Sequence, residues 1–229
     1  IHVDAYERLR AGDPSALDAA TLPGDRPVVV VCAAGRTSLL AVDQLRARGI
    51  EAVSLAGGMK AWSLAWNVAE VPLAAVRTRV LQIRRTGKGC LSYLVANAGE
   101  ALVVDAALDP RVYLELAERE GLRIVAVADT HVHADHLSRS RTLAAQAGAP
   151  LYVPEQRRVA YAFAPLGDGS ELRVGRAIVR VLHTPGHTSE SVCYFVDGRA
   201  LLTGDTLFLT GVGRPDLEAS AGEARERAR

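Results

Sequence analysis

The chain has 229 residues, of which 49% are hydrophobic and 23% charged. That is globular composition for one large or two small domains, and it excludes collagenous, mucin-like and disordered classes. Its 27 basic and 26 acidic side chains leave a formal charge of +1, so no basic excess calls for nucleic acid, and no apolar run approaches the roughly 20 residues of a membrane helix.

All the bases except Lys60 and Lys88 are Arg, which with the many Ala suggests a GC-rich bacterial coding bias. The sequence opens on Ile1, its one Met is Met59, and it carries no signal-peptide pattern, so it reads as a piece cut at the N-terminus and expected to be cut at the C-terminus. Three cysteines, Cys32, Cys90 and Cys193, are too few and too odd for a disulfide framework. A reducing cytoplasm is the expected location, with at least one free thiol.

In chain order, residues 28–31 are short, continuous and β-branched, a buried-strand pattern between Pro27 and Gly35. Residues 38–48 predict a helix, with Leu39, Leu40, Val42 and Leu45 on one face and Gly49 at the stop. Residues 51–55 give the next strand, so the order predicts a parallel βαβ unit. A Gly57-Gly58 loop and a short helix around Ala61-Trp62 follow. Residues 69–73 read as linker, giving expected domains 1–72 and 77–229 joined by 73–76.

The second block predicts short strands over 80–84, 90–96 and 101–105, separated by Gly87, Gly89 and Gly99. A helix over 110–120, a strand over 123–128 and a helix over 137–147 come next. Strands are then expected near 151–153, 171–174, 177–182, 191–196 and 200–203. Cys90 and Cys193 fall in apolar strands and are expected in the core, as is His183 as a packed strand residue.

Cys32-Ala33-Ala34-Gly35-Arg36-Thr37-Ser38 lies between a predicted strand and helix. Unpaired N–H groups at a helix start favour an anion and lower a cysteine's pKa. The small Ala33, Ala34 and Gly35 let the loop curl around the sulfur, and Arg36 adds positive charge. Such a Cys32 can hold a sulfane sulfur as a persulfide anion; the alternative is a structural Cys at a strand end. This loop, with Leu55-Ala56-Gly57-Gly58-Met59-Lys60-Ala61-Trp62, resembles the rhodanese (sulfurtransferase) family over residues 1–70. The family's loop carries Arg five places after the Cys; here Thr37 stands there and Arg36 comes one earlier. The resemblance implies a parallel α/β rhodanese-like domain, N-terminally incomplete.

His131-Val132-His133-Ala134-Asp135-His136 packs four groups able to bind metal into six positions after a predicted buried strand. An alternating His131 and His133 share one side of an extended segment, and Asp135-His136 is expected to lead into the helix. Thr184-Pro185-Gly186-His187 projects His187 from a turn, and Gly204-Asp205 ends a strand. Two imidazoles and one carboxylate leave open positions on a six-coordinate metal such as Fe(II), while the same groups with His133 could hold zinc.

From about residue 77 onward the chain resembles the metallo-β-lactamase superfamily, and within it the persulfide dioxygenases. The resemblance implies an αββα domain, C-terminally incomplete, with one Fe(II) on His131, His187 and Asp205. It implies supporting or second-metal roles for His133, Asp135 and His136, and a structural role for Asp105. Gly211-Val212-Gly213-Arg214-Pro215-Asp216 resembles the segment near the thiol-substrate pocket, which points to Arg214 and Asp216. The implied reaction oxidises a persulfide of glutathione, coenzyme A or a similar thiol with O2 to sulfite, coupled to sulfur transfer with thiosulfate or sulfite at Cys32. The alternative is a binuclear Zn(II) thioester hydrolase of the glyoxalase II type fused to a rhodanese. No nucleic-acid or membrane partner is expected, and homo-oligomerisation is left open.

Overall fold

The structure is a computed structural model and describes residues 1–215. Two compact units divide it: Ile1–Trp66 with Arg85–Gly89, and Asn67–Arg84 with the chain from Cys90 on. Among the described residues no helix is long and apolar enough to cross a membrane.

The first unit contains α1 (Tyr6–Arg10), β1 (Val28–Val30), α2 (Thr37–Ala47), β2 (Ala52–Ser54) and α3 (Gly58–Trp62). β1 and β2 pair in parallel, Val28 opposite Ala52, as the strand–helix–strand order requires. Ala41, Val42 and Leu45 of α2 recur at helical spacing and bury against Ala5, Leu9, Ala16, Leu17 and Ala52. Leu39 and Leu40, expected on the same face, are instead exposed.

The second unit begins with β3 (Asn67–Val71), which the sequence reads in part as linker. It pairs antiparallel with β4 (Arg79–Arg85), Val68 opposite Ile83 and Val71 opposite Val80. The pairing satisfies its backbone, and Pro72 ends it, having no N–H to extend the ladder. β5 (Cys90–Asn97), β6 (Glu100–Val104), β7 (Arg123–Ala128), β8 (Leu151–Pro154) and β9 (Ala164–Leu166) complete a seven-stranded sheet in chain order. β6 through β9 run parallel to one another. β10 (Glu171–Val174), β11 (Ala177–His183), β12 (Val192–Val196) and β13 (Ala200–Leu202) form a four-stranded antiparallel sheet. β14 (Leu207–Phe208) and β15 (Gly211–Val212) make a short hairpin.

Alternation sorts the large sheet's side chains into two cores. Leu81, Ile83, Leu94 and Val103 face α4 (Pro110–Arg119) and α5 (Ser140–Ala147), packing on Tyr113, Leu116 and Leu143. Val80, Val95, Leu102 and Val104 face the smaller sheet, meeting Val174, Val179, Val181 and Tyr194. Among the described residues the layers are therefore helix, sheet, sheet. Each fully buried Val or Leu contributes about 1.5–3 kcal/mol. Because β6 is covered on both faces, its Ala-Leu-Val-Val run is continuously apolar.

Helix α5 starts at Ser140, three residues later than the sequence predicts. Buried Asp129 accepts the Ser138 and Ser140 hydroxyls, and the Ser138 oxygen accepts the Ser140 N–H. These bonds hold residues 131–139 as a loop, so Asp135 and His136 sit on that loop and not on a helix.

Candidate metal centre and cysteine loop

The Cys32 loop closes between β1 and α2. Sγ accepts N–H groups from Gly35 at 3.1 Å and Ser38 at 3.4 Å, and lies 3.3 Å from Ser38 Oγ. Ser38 Oγ is also 2.8 Å from Ser54 Oγ at the end of β2. Burial raises the thiol's pKa, but the bonds from the Ser38 hydroxyl and from the Ser38, Ala34 and Gly35 backbone outweigh it and bring Cys32 to about 6. The thiolate therefore predominates at neutral pH.

A second segment braces this loop. The Met59 and Lys60 N–H groups donate to the Cys32 and Ala33 carbonyls at 2.9 and 3.0 Å. A Cβ on Gly58, whose φ is +60°, would stand 2.1 Å from the Cys32 oxygen. Only glycine admits that approach, which is the physical content of the Gly57-Gly58 motif. Arg36 stands at the N-cap of α2 with Thr37 opening the helix. A cleft of about 580 Å³ is lined by Cys32, Arg36 and Thr37 with Tyr6, Arg10 and Leu40. Arg10 adds a cation to the cleft that the loop motif does not contain.

With a thiolate held at about 6, the rate of Cys32 alkylation by iodoacetamide should rise with pH through a midpoint of about 6 and level off at neutrality. The sign follows from the acid's lowered pKa: the reactive anion exists above it. A midpoint of about 8.5, that of a free thiol, would contradict the hydrogen-bonded sulfur.

In the second unit, four strand ends supply the polar side chains. Asp105 follows β6, His131 follows β7, His187 follows β11 and Asp205 follows β13. One ligand atom each from His131, His187 and Asp205 lie within 4.8 Å of one another. His187 Nε2 is 3.6 Å from Asp205 Oδ2, and the His131 and His187 ring centres are 5.0 Å apart.

Hydrogen bonds determine both tautomers. The Thr130 hydroxyl donates its one proton to Asp105 Oδ2 at 2.9 Å, so at 3.0 Å it must accept from His131 Nδ1–H. His131 Nε2 then carries the lone pair. This nitrogen is buried and has no hydrogen-bond partner among the described residues, which fits a metal ligand. Burial, and then the charge of His133, lower His131 to about 4, keeping it neutral. His187 Nδ1 lies 3.1 Å from the Arg214 carbonyl, which can only accept, so its Nε2 also presents a lone pair. Burial pushes the Asp205 carboxyl up; the His187 ring counters this and Asp135 adds repulsion. Two lone pairs and a carboxylate that gains from a nearby cation fit a divalent metal.

The other predicted ligands are held elsewhere. His133 Nε2 lies 3.0 Å from Asp105 Oδ1 and 4.0 Å from Asp129 Oδ1. Burial opposes its charge, but the Asp105 carboxylate, in Coulomb attraction and hydrogen bond, pushes His133 up. With Nε2–H donated, that nitrogen has no lone pair for a metal. Asp135 and His136 pair with each other at 3.0 Å.

Asp105 is the hub that the sequence marks only as a strand-end acid. It takes the Thr130 N–H and hydroxyl as well as His133, from a left-handed φ of +55° that Asp tolerates. Glu190 has no sequence signal at all. Its buried carboxylate accepts the Val132 N–H at 3.0 Å and pairs with Arg158, pinning the peptide between His131 and His133. Arg214, expected to meet substrate, anchors His187 through its backbone oxygen, and Gly213 permits this because a Cβ there would overlap the Asp205 carbonyl at 1.7 Å. Asp216 lies outside the described residues. His183 is exposed, not packed, with Nε2 3.0 Å from the Ser189 carbonyl. A cleft of about 360 Å³ runs along the loop past His131, His133, His136, Arg139, Arg141 and Tyr161.

Comparison with known proteins agrees with both halves of the fold. A rhodanese-like domain is matched over residues 1–65 and the metallo-beta-lactamase superfamily over 85–229. Hydroxyacylglutathione hydrolase of Methylococcus capsulatus is 38% identical over 128 residues, covering 53% of this chain and 49% of the relative. The chain spans about half the length of the curated relatives it matches. A metallo-beta-lactamase structure from Staphylococcus aureus superposes with a TM-score of 0.59 at 30% identity, over 66% of this chain and 48% of that one. ETHE1 from Myxococcus xanthus superposes with 0.58 at 29% identity, over 66% and 68%.

Proposed function

The chain belongs to the metallo-beta-lactamase superfamily, with a rhodanese-like domain ahead of that fold, and on this premise we propose that it oxidises the persulfide of a small thiol to sulfite at one ferrous ion held by His131, His187 and Asp205. The observation that carries the reading is the sorting of the imidazoles. His131 and His187 turn lone pairs toward Asp205, while His133 is drawn onto Asp105 and His136 onto Asp135. A set with two imidazoles and one carboxylate suits a single Fe(II), which supplies open positions where dioxygen and sulfur can react.

The overall change is RSSH + O2 + H2O → RSH + H2SO3. This chain's own contribution is alignment and charge. Thr130 and the Arg214 carbonyl fix the two rings, Asp205 supplies a negative charge, and Glu190 holds the loop. Arg139 and Arg141 line the adjoining cleft and suit the carboxylates of a carrier such as glutathione. At the other site, the Cys32 thiolate attacks the outer sulfur of thiosulfate, the S–S bond breaks, sulfite leaves and Cys32 persulfide remains. Arg10 and Arg36 attract the anionic donor.

The hydroxyacylglutathione hydrolase relatives favour a second reading, a thioester hydrolase whose zinc would supply activation of water for cleavage of a glutathione thioester. It needs a second ion drawing on Asp135 and His136. Oxygen uptake with glutathione persulfide, run beside hydrolysis of a glutathione thioester, separates them. Oxygen consumption with stoichiometric sulfite is expected; thioester cleavage without oxygen uptake would replace the oxidation with hydrolysis.

A further inference from the structure

Helix α1 borders the Cys32 cleft. Its Leu9, with Ala5 just before the helix, buries in one cluster with Ala41, Val42 and Leu45 of α2. Tyr6 and Arg10, four residues apart on one helical face, then line the cleft with Cys32, Arg36, Thr37 and Leu40. Arg10 Nη1 donates to the Tyr6 hydroxyl at 3.1 Å, and the guanidinium carbon lies 5.7 Å from the centre of the Tyr6 ring. Both contacts favour one position for a long, exposed side chain. A guanidinium carries several N–H donors, so the single bond to Tyr6 leaves others for a ligand. No Asp or Glu lines the cleft, and the Cys32 loop itself supplies one cation, Arg36. The thiolate already places negative charge there at neutral pH. An anionic sulfur donor must approach that charge, and a second cation offsets the repulsion.

We propose that Arg10, aimed by Tyr6, is the anion anchor of this cleft and the residue that sets its donor specificity, gripping the sulfonate oxygens of a dianion such as thiosulfate while the outer sulfur faces Cys32. A guanidinium presents paired N–H groups that match two such oxygens. As Cys32 Sγ attacks, the outer sulfur joins it, the S–S bond breaks and the bonding pair leaves on sulfite. The oxygens held by Arg10 therefore belong to the group that carries the departing charge. Tyr6 acts through Arg10 and is a positioning residue. The choice of donor rests on the sulfur-transfer reading of Cys32; the anion anchor itself does not.

The test uses the full chain and its variants, alkylated with neutral iodoacetamide or anionic iodoacetate and read at Cys32 by peptide mass spectrometry, beside steady-state transfer from thiosulfate to cyanide. Arg10→Gln should lower the iodoacetate-to-iodoacetamide rate ratio several-fold. It should raise KM for thiosulfate at least about tenfold, the worth of one hydrogen bond to an ion, and by more than it lowers kcat. Arg10→Lys keeps the charge without the paired donors, so it should hold the alkylation ratio and still raise KM; it also serves should Arg10→Gln fold poorly. Tyr6→Phe should raise KM by a smaller factor, and by none once Arg10 is Gln, whereas a merely structural Tyr6 would weaken both chains alike. An unchanged ratio or an unchanged KM in folded Arg10→Gln protein would overturn the proposal. If the unaltered chain moves no sulfur from thiosulfate while Arg10→Gln still lowers the ratio, the transfer reading falls and the anchor stands.

Discussion

A His131→Ala chain is expected to retain no stoichiometric metal after purification and to show no measurable persulfide-dependent oxygen uptake. His131 is 1% exposed, and its Nε2 is buried with no hydrogen-bond partner among the described residues. Removing a group that merely braces a metal ligand costs roughly 10–100-fold in metal affinity or activity. Removing the ligand itself should cost more, because His187 and Asp205 alone leave two of the three donors. His133 cannot take its place without giving up the carboxylate of Asp105, which its Nε2–H meets at 3.0 Å. Metal analysis with circular dichroism checks the result. Retention of a full equivalent of metal by a folded His131→Ala chain would mean that another donor set binds it.

Cys32→Ser should abolish thiosulfate-dependent sulfur transfer to cyanide while leaving metal content unchanged. Serine preserves the size and the hydrogen bonds of the loop, but a hydroxyl has no anion near neutral pH to attack sulfur. The bonds from Gly35 and Ser38 that hold the thiolate at about 6 then have no charge to stabilise. A Cys32→Ser chain with full transfer activity would place the nucleophile elsewhere.

Much of both sites was legible because their chemistry is local in sequence. Cys32 to Ser38 encloses its own sulfur, and His131 to His136 places three imidazoles on one loop. Asp205 was harder, since Gly-Asp at a strand end is an ordinary turn, and only its order after the histidines marks it. The supporting residues were not legible. Asp105 and Glu190 reach Thr130, His133 and Val132 from positions 25 to 58 residues away, through contacts that no local pattern encodes. Arg214 acts on His187 through a backbone oxygen, which any residue type could supply. Cys90 looked like core because its strand is apolar, yet at the strand's first position it meets the loop instead. The error over residues 69–73 has the same origin: β3 is identified by its partner β4, not by its own composition.

Counting metal ions on the full chain, reconstituted without oxygen in excess Fe(II) or Zn(II) and then freed of unbound ion, tests the single-ion centre most directly. One ion per chain, lost together with oxygen uptake on chelation, is the expected result. Two ions per chain, with His133 released from Asp105 or with Asp135 and His136 holding the second ion, would contradict it.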